Sequence, residues 1–519
     1  MSLKSEVFGL LDNAQRLCRQ CPDSEALSDS LREMRARLET PLRVAVVGIM
    51  KAGKSTFMNA LMGADILCTG DLETTYTVCW FRYGEQPKLT ICFRNGEEQE
   101  APIADLERWS VRAYEKENPR INDVKYLVLH YPSEVLRTME FIDTPGLNSM
   151  YGTDAQNTLD FLAIQGSEET IYEAGMADAV IYAFNRTASD FDESILQEFH
   201  KGGMDSVSPI NSVGILTKVD ATGIWDIWGE ATPVEAAQPV ASGVMKNEGL
   251  KRLLFTVLPV CAKVCEGCAQ LTERDWTVLR QIAGTDGEEL RDLLFDAAQF
   301  ARSEDAAYTA LGSSAARTRL MDLLGQYGIL ETAAFLRMGQ SPEEIGKSLQ
   351  TSCGIQAVRD LLLRHFGNRT FLIKSQFIFS CLRGLVRQLR KNSGIGSQLR
   401  VICGRLLDDI DGLMTSVQTL KELKVLQMYY NGQLRFHSQE EERDFLCVTG
   451  EYGRSAEVRL GVQGPLPITE LAGIARTKAM LWHEKTGSWM VSSAYIEATA
   501  IIARSYEEIC FHLNALGEE

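Results

Sequence analysis

Residues 48–56 read GIMKAGKST. The order is glycine, four residues, glycine, lysine, serine, and no other stretch constrains the fold as tightly. A backbone that closes its N–H groups around phosphate oxygens needs glycine where a Cβ would block the turn, here Gly48 and Gly53. Lys54 has the reach for the β- and γ-phosphates of a nucleoside triphosphate, and the Ser55 hydroxyl can ligate Mg²⁺. Ala52 and Thr56 complete the expected binding loop. The flanks agree: "PLRVAVVG" reads as a buried strand ending at Gly48, and "STFMNALMG" as a helix opening at Ser55. Lys51 places a second cation inside the loop.

Two further motifs follow in order. "FIDTPG" ends a strand at Asp143, whose carboxylate can hold Mg²⁺ through a water, while the Gly146 N–H can bond the γ-phosphate. "ILTKVD" ends a strand at Asp220. That carboxylate can accept from guanine N1–H and the 2-amino group, both absent from adenine. Thr217 belongs to the same turn, the Lys218 stem covers the base plane, and "PVCAK" brings the Ala262 backbone toward guanine O6. Between the first two motifs, "GDLETTYTVCWFRYG" offers Thr74 and Thr75. Either can bind the metal by its hydroxyl and position water by its carbonyl. Three motifs at three strand ends point to GTP with Mg²⁺.

The rest of the chain bounds the setting. At 519 residues, two or three domains are expected, and 45% hydrophobic content allows sizeable cores. A formal net charge of −17 argues against a protein that coats nucleic acid, so no nucleic-acid partner is expected. The 13 cysteines are scattered and "MSLKSEVFGLLDNAQRL" reads as an amphipathic helix rather than a leader, so a reducing cytoplasm is expected. No stretch approaches the roughly 18 uncharged apolar residues of a membrane span, and Lys374 interrupts the nearest candidate, "FLIKSQFIFSCL". Any membrane contact must be peripheral.

Strand patterns fall at residues 43–48, 77–83, 89–94, 124–131, 139–143, 179–185, 212–216 and 256–261. Interleaved with helical runs, they predict an α/β domain with an extended, largely parallel sheet. Helical spacing over residues 4–38 precedes it, and from about Glu273 the pattern is almost all helical. Small signalling GTPases place a water-orienting glutamine after the glycine of the second motif. Here Leu147 stands there, so hydrolysis must draw on backbone, another side chain or a second molecule. Asp143 lies 95 residues after Gly48, which points to a large GTPase. Cys261, Cys265 and Cys268 match the C-x3-C-x2-C spacing of iron–sulfur radical enzymes, but their place at the close of the sheet favours buried thiols. Residues 361–407 hold nine Lys/Arg and no Asp or Glu. That face either lies on anionic lipid or packs within the helical region, and the second reading is favoured. The aromatic-bearing segment 429–453 is the other candidate membrane tip.

"VVGIMKAGKSTFMNALMGADIL" followed by "TTYTVCWFRYG" resembles the bacterial dynamin-like proteins, and is particularly similar to the isoniazid-inducible ones of mycobacteria and their actinobacterial relatives. The similarity continues through "VLPVCAKVCEGCAQLTERDWTVL", "RTRLMDLLGQYGI" and "ELKVLQMYYNGQLRF". It implies a GTPase domain on a helical neck and trunk: residues 1–40 joining the neck, 41–270 the GTPase domain, 271–519 neck and trunk. Aligned on "WFRYG", the family's metal-binding threonine falls on Thr75, with Thr74 the runner-up. The implied activity is hydrolysis of GTP to GDP and phosphate, coupled to membrane remodelling. The implied protein is peripheral, self-associating as a homodimer through its GTPase domains, and attached to the inner face of the plasma membrane. Eukaryotic dynamins carry, near Lys51, a serine associated with a monovalent cation. Lys51, Lys54, Thr75 and Gly146 are accordingly the expected catalytic groups. Unlike in eukaryotic dynamins, no pleckstrin-type segment or proline-rich tail is expected. A ribosome-assembly or translation-associated GTPase and a nucleotide-switched scaffold are the alternatives.

Overall fold

The computed structural model describes residues 3–49, 51–67, 78–111, 114, 116–143, 177–185, 192–193, 196, 209–220, 232–391, 396–430, 432–486 and 492–517. Strands β1 (Leu42–Val47), β2 (Cys79–Tyr83), β3 (Lys88–Phe93), β4 (Glu98–Ala101), β5 (Val124–Tyr131), β6 (Met139–Asp143), β7 (Ala179–Asn185), β8 (Ser212–Thr217) and β9 (Val257–Pro259) form one sheet. Its order is β4-β3-β5-β2-β6-β1-β7-β8-β9. From β6 to β9 all neighbours are parallel, so their carboxyl ends share one edge. β2 then runs antiparallel to β6, and β5, β3 and β4 extend the sheet beyond it. The predicted α/β sheet with a helical remainder is the fold observed. β4 escaped the sequence reading because "EQEA" carries no inward apolar alternation, as suits an edge strand.

The central strands are apolar because both of their faces are covered. Val44, Phe81, Phe141 and Leu129 are wholly buried. The amino-terminal helical run is two helices, α1 (Leu3–Cys18) and α2 (Glu25–Arg37), broken at Pro22. α1 packs on the helix Ser397–Ser416 and α2 on the helix Thr370–Lys391, so the chain's first residues join helices that follow the sheet. The helix Ala262–Ala269 crosses the helix Ser314–Arg337 backbone to backbone. A Cβ on Gly267 would fall 2.0 Å from the Leu323 carbonyl oxygen, so only glycine permits this approach. No helix among the described residues is long and apolar enough to cross a membrane.

One sequence expectation needs correction and another holds in part. Residues 429–453 are not an aromatic tip. Phe445 is fully buried in the helix Gln439–Val448, and Phe436 packs against Phe445, Trp482 and Tyr495. Of the segment's aromatics, Tyr452 is the exposed one. The basic stretch 361–407 divides. Lys374 and Arg369 are buried and bonded, and Arg383 pairs with Asp411. Arg387, Arg390, Lys391, Arg400 and Arg405 stay exposed. Thus the apolar run around Lys374 faces the α2 side of the fold, and the lysine ends on backbone carbonyls rather than in water.

Candidate nucleotide site

Each predicted motif within the described residues sits at the shared carboxyl edge of the parallel strands. β1 leads into the loop 48–53, and the helix α3 (Lys54–Met62) opens directly from it with Gly53 as its left-handed N-cap. A Cβ on Gly48 would lie 2.6 Å from the Ala183 carbonyl oxygen, where the loop passes β7. Ala52 is fully buried, and its carbonyl accepts from Thr217 Oγ1 at 2.6 Å. The Phe184 carbonyl, 2.9 Å away, is the hydroxyl's alternative acceptor. Thr217 therefore ties the phosphate loop to the end of β8. Thr56 lies one residue into the helix beyond Ser55.

Lys54 is buried and folds back over the loop, donating to the Gly48 and Ile49 carbonyls, both at 3.3 Å. Burial pulls its ammonium below the ordinary lysine range, and nearby Asp143 opposes this only in part. Asp143, the last residue of β6, pairs in register with Val46 of β1. It is wholly buried, with the Ser55 hydroxyl 3.4 Å from Oδ2 and, among the described residues, no hydrogen-bond partner for Oδ1. Burial pushes its carboxyl up to about 6, against the attraction of Lys54 and the Ser55 hydrogen bond. A buried carboxylate oxygen without a donor, beside a serine hydroxyl at a helix start, fits a hard divalent cation. Thr74, Thr75, Gly146 and Leu147 lie outside the described residues.

At the β8 end, Lys218 and Asp220 are partly exposed, and Ala262 begins the helix that follows β9, the next strand. Among the described residues, the non-glycine positions with positive φ are Lys51 (59°) and Lys218 (57°). Both belong to the predicted site, one in the phosphate loop and one in the base loop. Strained backbone concentrates where a ligand must be met. The Cys261 and Cys268 thiols are pushed up by burial, to about 11 and about 12, and remain protonated at neutral pH.

Residues 44–219 match the model of the Dynamin family. Over 523 aligned residues the chain is 25% identical to isoniazid-induced protein IniC of Mycobacterium tuberculosis, covering 99% of this chain and 100% of that protein. Residues 44–219 thus carry a Dynamin-family domain, and the chain as a whole resembles IniC. It is also 35% identical over 126 residues to a bacterial dynamin-like protein of Nostoc punctiforme, spanning 22% of this chain and 18% of that one. A solved oligomerised bacterial dynamin pair overlays on 98% of this chain and 90% of its own, at 13% identity and a TM-score of 0.31, too loose to bear on function. The dynamin family is a GTPase family, and its members bind GTP and typically Mg²⁺.

In this dynamin-like site, sequence reasoning missed Asn59. It is 1% exposed on α3, where its Nδ2 donates to Glu266 Oε1 at 2.6 Å and to the Leu67 carbonyl at 2.8 Å. Its Oδ1 accepts from the Ile66 and Leu67 N–H groups at 3.1 and 2.8 Å. One amide thus joins the phosphate-loop helix, the segment leading to Thr74 and Thr75, and the helix that begins at Ala262. An asparagine within the apolar run "FMNALM" was the available signal.

Proposed function

We propose that this protein hydrolyses GTP to GDP and phosphate, and that hydrolysis drives remodelling of a membrane it meets peripherally. The observation that carries the enzymatic reading is the Ser55 hydroxyl on Asp143 Oδ2, at one sheet edge, beside an Oδ1 that has no partner among the described residues. Loop N–H groups from Gly48 to Ser55 and the Lys54 ammonium would bind the β- and γ-phosphates. A triphosphate gives buried Lys54 the countercharge that two carbonyls do not. Ser55, Asp143 and a threonine, Thr75 or Thr74, would hold Mg²⁺, which supplies charge neutralisation across the β- and γ-oxygens. The Gly146 N–H would steady the γ-phosphate. Thr217, Lys218, Asp220 and the Ala262 backbone would select guanine.

Leu147 offers no side-chain amide to orient water, so hydrolysis is assigned to paired GTPase domains of a homodimer. Residues 1–40 and 271–519 are read as neck and trunk around a GTPase domain at 41–270. The exposed Arg387, Arg390, Lys391, Arg400 and Arg405 support contact with anionic lipid on the inner face of the plasma membrane. Turnover of GTP against ATP, with and without anionic liposomes, tests the reading. Equal use of both nucleotides sinks the guanine assignment. GTP turnover without liposome co-sedimentation sinks the membrane assignment.

A further inference from the structure

The two helices assigned to opposite ends of the nucleotide start from strands far apart in the sheet. α3 follows β1, and the helix Ala262–Ala269 follows β9. Strand order puts β7 and β8 between them, so β1 and β9 stand three strand spacings, about 14 Å, apart. The helices nonetheless pack against one another, and a polar bond crosses between them. Asn59 Nδ2 donates to Glu266 Oε1 at 2.6 Å, and both residues are buried. Asn59 lies four residues after Ser55, and Glu266 lies four after Ala262. The bond thus joins the helices about 6 Å, one turn, behind the residues assigned to Mg²⁺ and to guanine.

Each helix is also gripped by the helical region. Gly267, next to Glu266, lies against the Leu323 carbonyl of the helix Ser314–Arg337. Arg359 Nε donates to the Leu61 carbonyl in the last turn of α3 at 3.1 Å, and its Nη1 donates to Gln350 Oε1 at 2.8 Å. Within this frame the Asn59 amide has two separable duties. Its Oδ1 accepts from the Ile66 and Leu67 N–H groups and its Nδ2 donates to the Leu67 carbonyl, which closes the turn after α3. That closure does not need Glu266, 207 residues away in the chain. A buried carboxylate is costly to desolvate, and an apolar side chain would pack a helix crossing more cheaply. What the carboxylate adds is direction: a hydrogen bond fixes one placement of α3 against its neighbour, whereas apolar contact tolerates several.

We infer that Asn59 and Glu266 are a positioning pair that sets the span between the phosphate-binding and guanine-binding ends of the site. Neither touches the nucleotide. The inference rests on the GTP reading above and adds the device that holds its two halves in register. Once one end of a nucleotide has docked, the other end gains from finding its partner at the correct distance. That gain is an effective concentration, and it shrinks when the distance is free to vary. A ligand that meets only one helix start gains nothing from the bond.

The test compares the whole nucleotide with its parts, on full-length protein in Mg²⁺. GTP, tripolyphosphate and guanosine each compete with a fluorescent GTP analogue for the parent, Glu266→Met and Glu266→Gln chains. Methionine fills much of the same space without an oxygen acceptor, and glutamine keeps one. Glu266→Met should bind GTP at least about tenfold more weakly, with tripolyphosphate and guanosine held within about twofold of the parent. Glu266→Gln should stay within about threefold of the parent for all three ligands. A merely structural role would weaken the parts along with the whole. GTP affinity unchanged in Glu266→Met, or a loss shared equally by GTP and either part, overturns the pair. So does a Glu266→Gln chain that falls as far as Glu266→Met. A parent that binds ATP as tightly as GTP overturns the GTP reading and this inference together, whereas a GTP-selective parent with an unaffected Glu266→Met overturns the inference alone. Thermal melting checks that each variant folds, and should Glu266→Met unfold, Glu266→Ala carries the same comparison.

Discussion

Arg37 of α2 sets both Nε and Nη2 on one oxygen of Asp178, at 3.0 and 2.8 Å, immediately before β7. The other oxygen accepts from the Arg43 backbone N–H at 2.9 Å, at the start of β1. Lys374, from the helix Thr370–Lys391, donates to the Arg37 carbonyl at 2.7 Å and to Thr40 Oγ1 at 2.9 Å. Arg37, Asp178 and Lys374 are all buried. One carboxylate thus fastens a helix from before the sheet and, through Lys374, a helix from after it to the amino ends of two central strands. Any movement of the helical region against the sheet must pull on this knot.

Removing that carboxylate takes from buried Arg37 its two-point ion pair with Asp178. Asp178→Ala should lower the free energy of unfolding by about 3–5 kcal/mol. Asp178→Asn should move it in the same direction by less. Urea denaturation measures both. An Asp178→Ala chain as stable as the parent would show that the knot contributes nothing net.

Lys374 makes a pH prediction. Burial lowers its ammonium to about 8, with Asp178 opposing, whereas an unfolded lysine titrates near about 10.4. Between those values the unfolded chain binds more protons than the folded one. Stability from this group therefore rises with pH across that window and is lost as pH falls through about 8. The stability gap between the parent chain and Lys374→Met, taken by urea titration at neutral and at mildly alkaline pH, should shift in favour of the parent as pH rises. A gap that stays constant would mean that Lys374 titrates as an ordinary lysine.

The strands ending at Asp143 and Thr217 were legible because they are short apolar runs closed by polar turn residues. The phosphate loop was legible because glycine spacing there answers to steric needs. β4 was not, because Glu98 to Ala101 pairs through its backbone at an edge and needs no apolar pattern. Lys374 looked like a break in an apolar helix, since its acceptors, the Arg37 and Thr40 carbonyls, are far away in the chain and carry no side-chain signature. The contact of Arg43 (β1) and Arg82 (β2) with Glu140 (β6), at 3.9 and 3.4 Å, was invisible for a related reason. Strand order, not spacing, brings β6 between β1 and β2.

Asp143 is stabilising only once its partner arrives. Its carboxyl is pushed up to about 6 by burial, so at neutral pH the ligand-free fold carries an unfavourable charge. In the presence of a chelator, Asp143→Asn should raise stability by roughly 1–3 kcal/mol. The same variant should lose most of its Mg²⁺-dependent GTP turnover. Thermal melting in chelator and a phosphate-release assay read the two effects. A variant less stable than the parent would contradict the cost of the buried charge.

Asp220 should decide the base. Asn in its place exchanges one acceptor for a donor, so Asp220→Asn should weaken GTP by at least about tenfold and favour xanthosine triphosphate. Competition binding with the two nucleotides measures the switch. Weakening of both to the same extent would make Asp220 a structural member of the β8 turn rather than a base reader.

Lys51 combines an exposed ammonium with a left-handed backbone, φ 59°, one turn before Lys54. The two properties separate by substitution. Lys51→Gly relaxes the backbone and removes the charge, while Lys51→Ala removes the charge and keeps the strain. With Lys54 proposed for the β- and γ-phosphates, the second cation is not needed for binding alone. Charge builds on the β–γ bridge as the bond breaks, and an ammonium beside it stabilises that state above the ground state. Lys51→Ala should lower kcat about tenfold to a thousandfold with GTP affinity held within a few-fold. If charge is what matters, Lys51→Gly falls equally, and added K⁺ or Na⁺ partly rescues both variants but not the parent. If the loop's shape is what matters, Lys51→Gly loses GTP affinity and Lys51→Ala does not. An unchanged kcat in both would remove Lys51 from the mechanism.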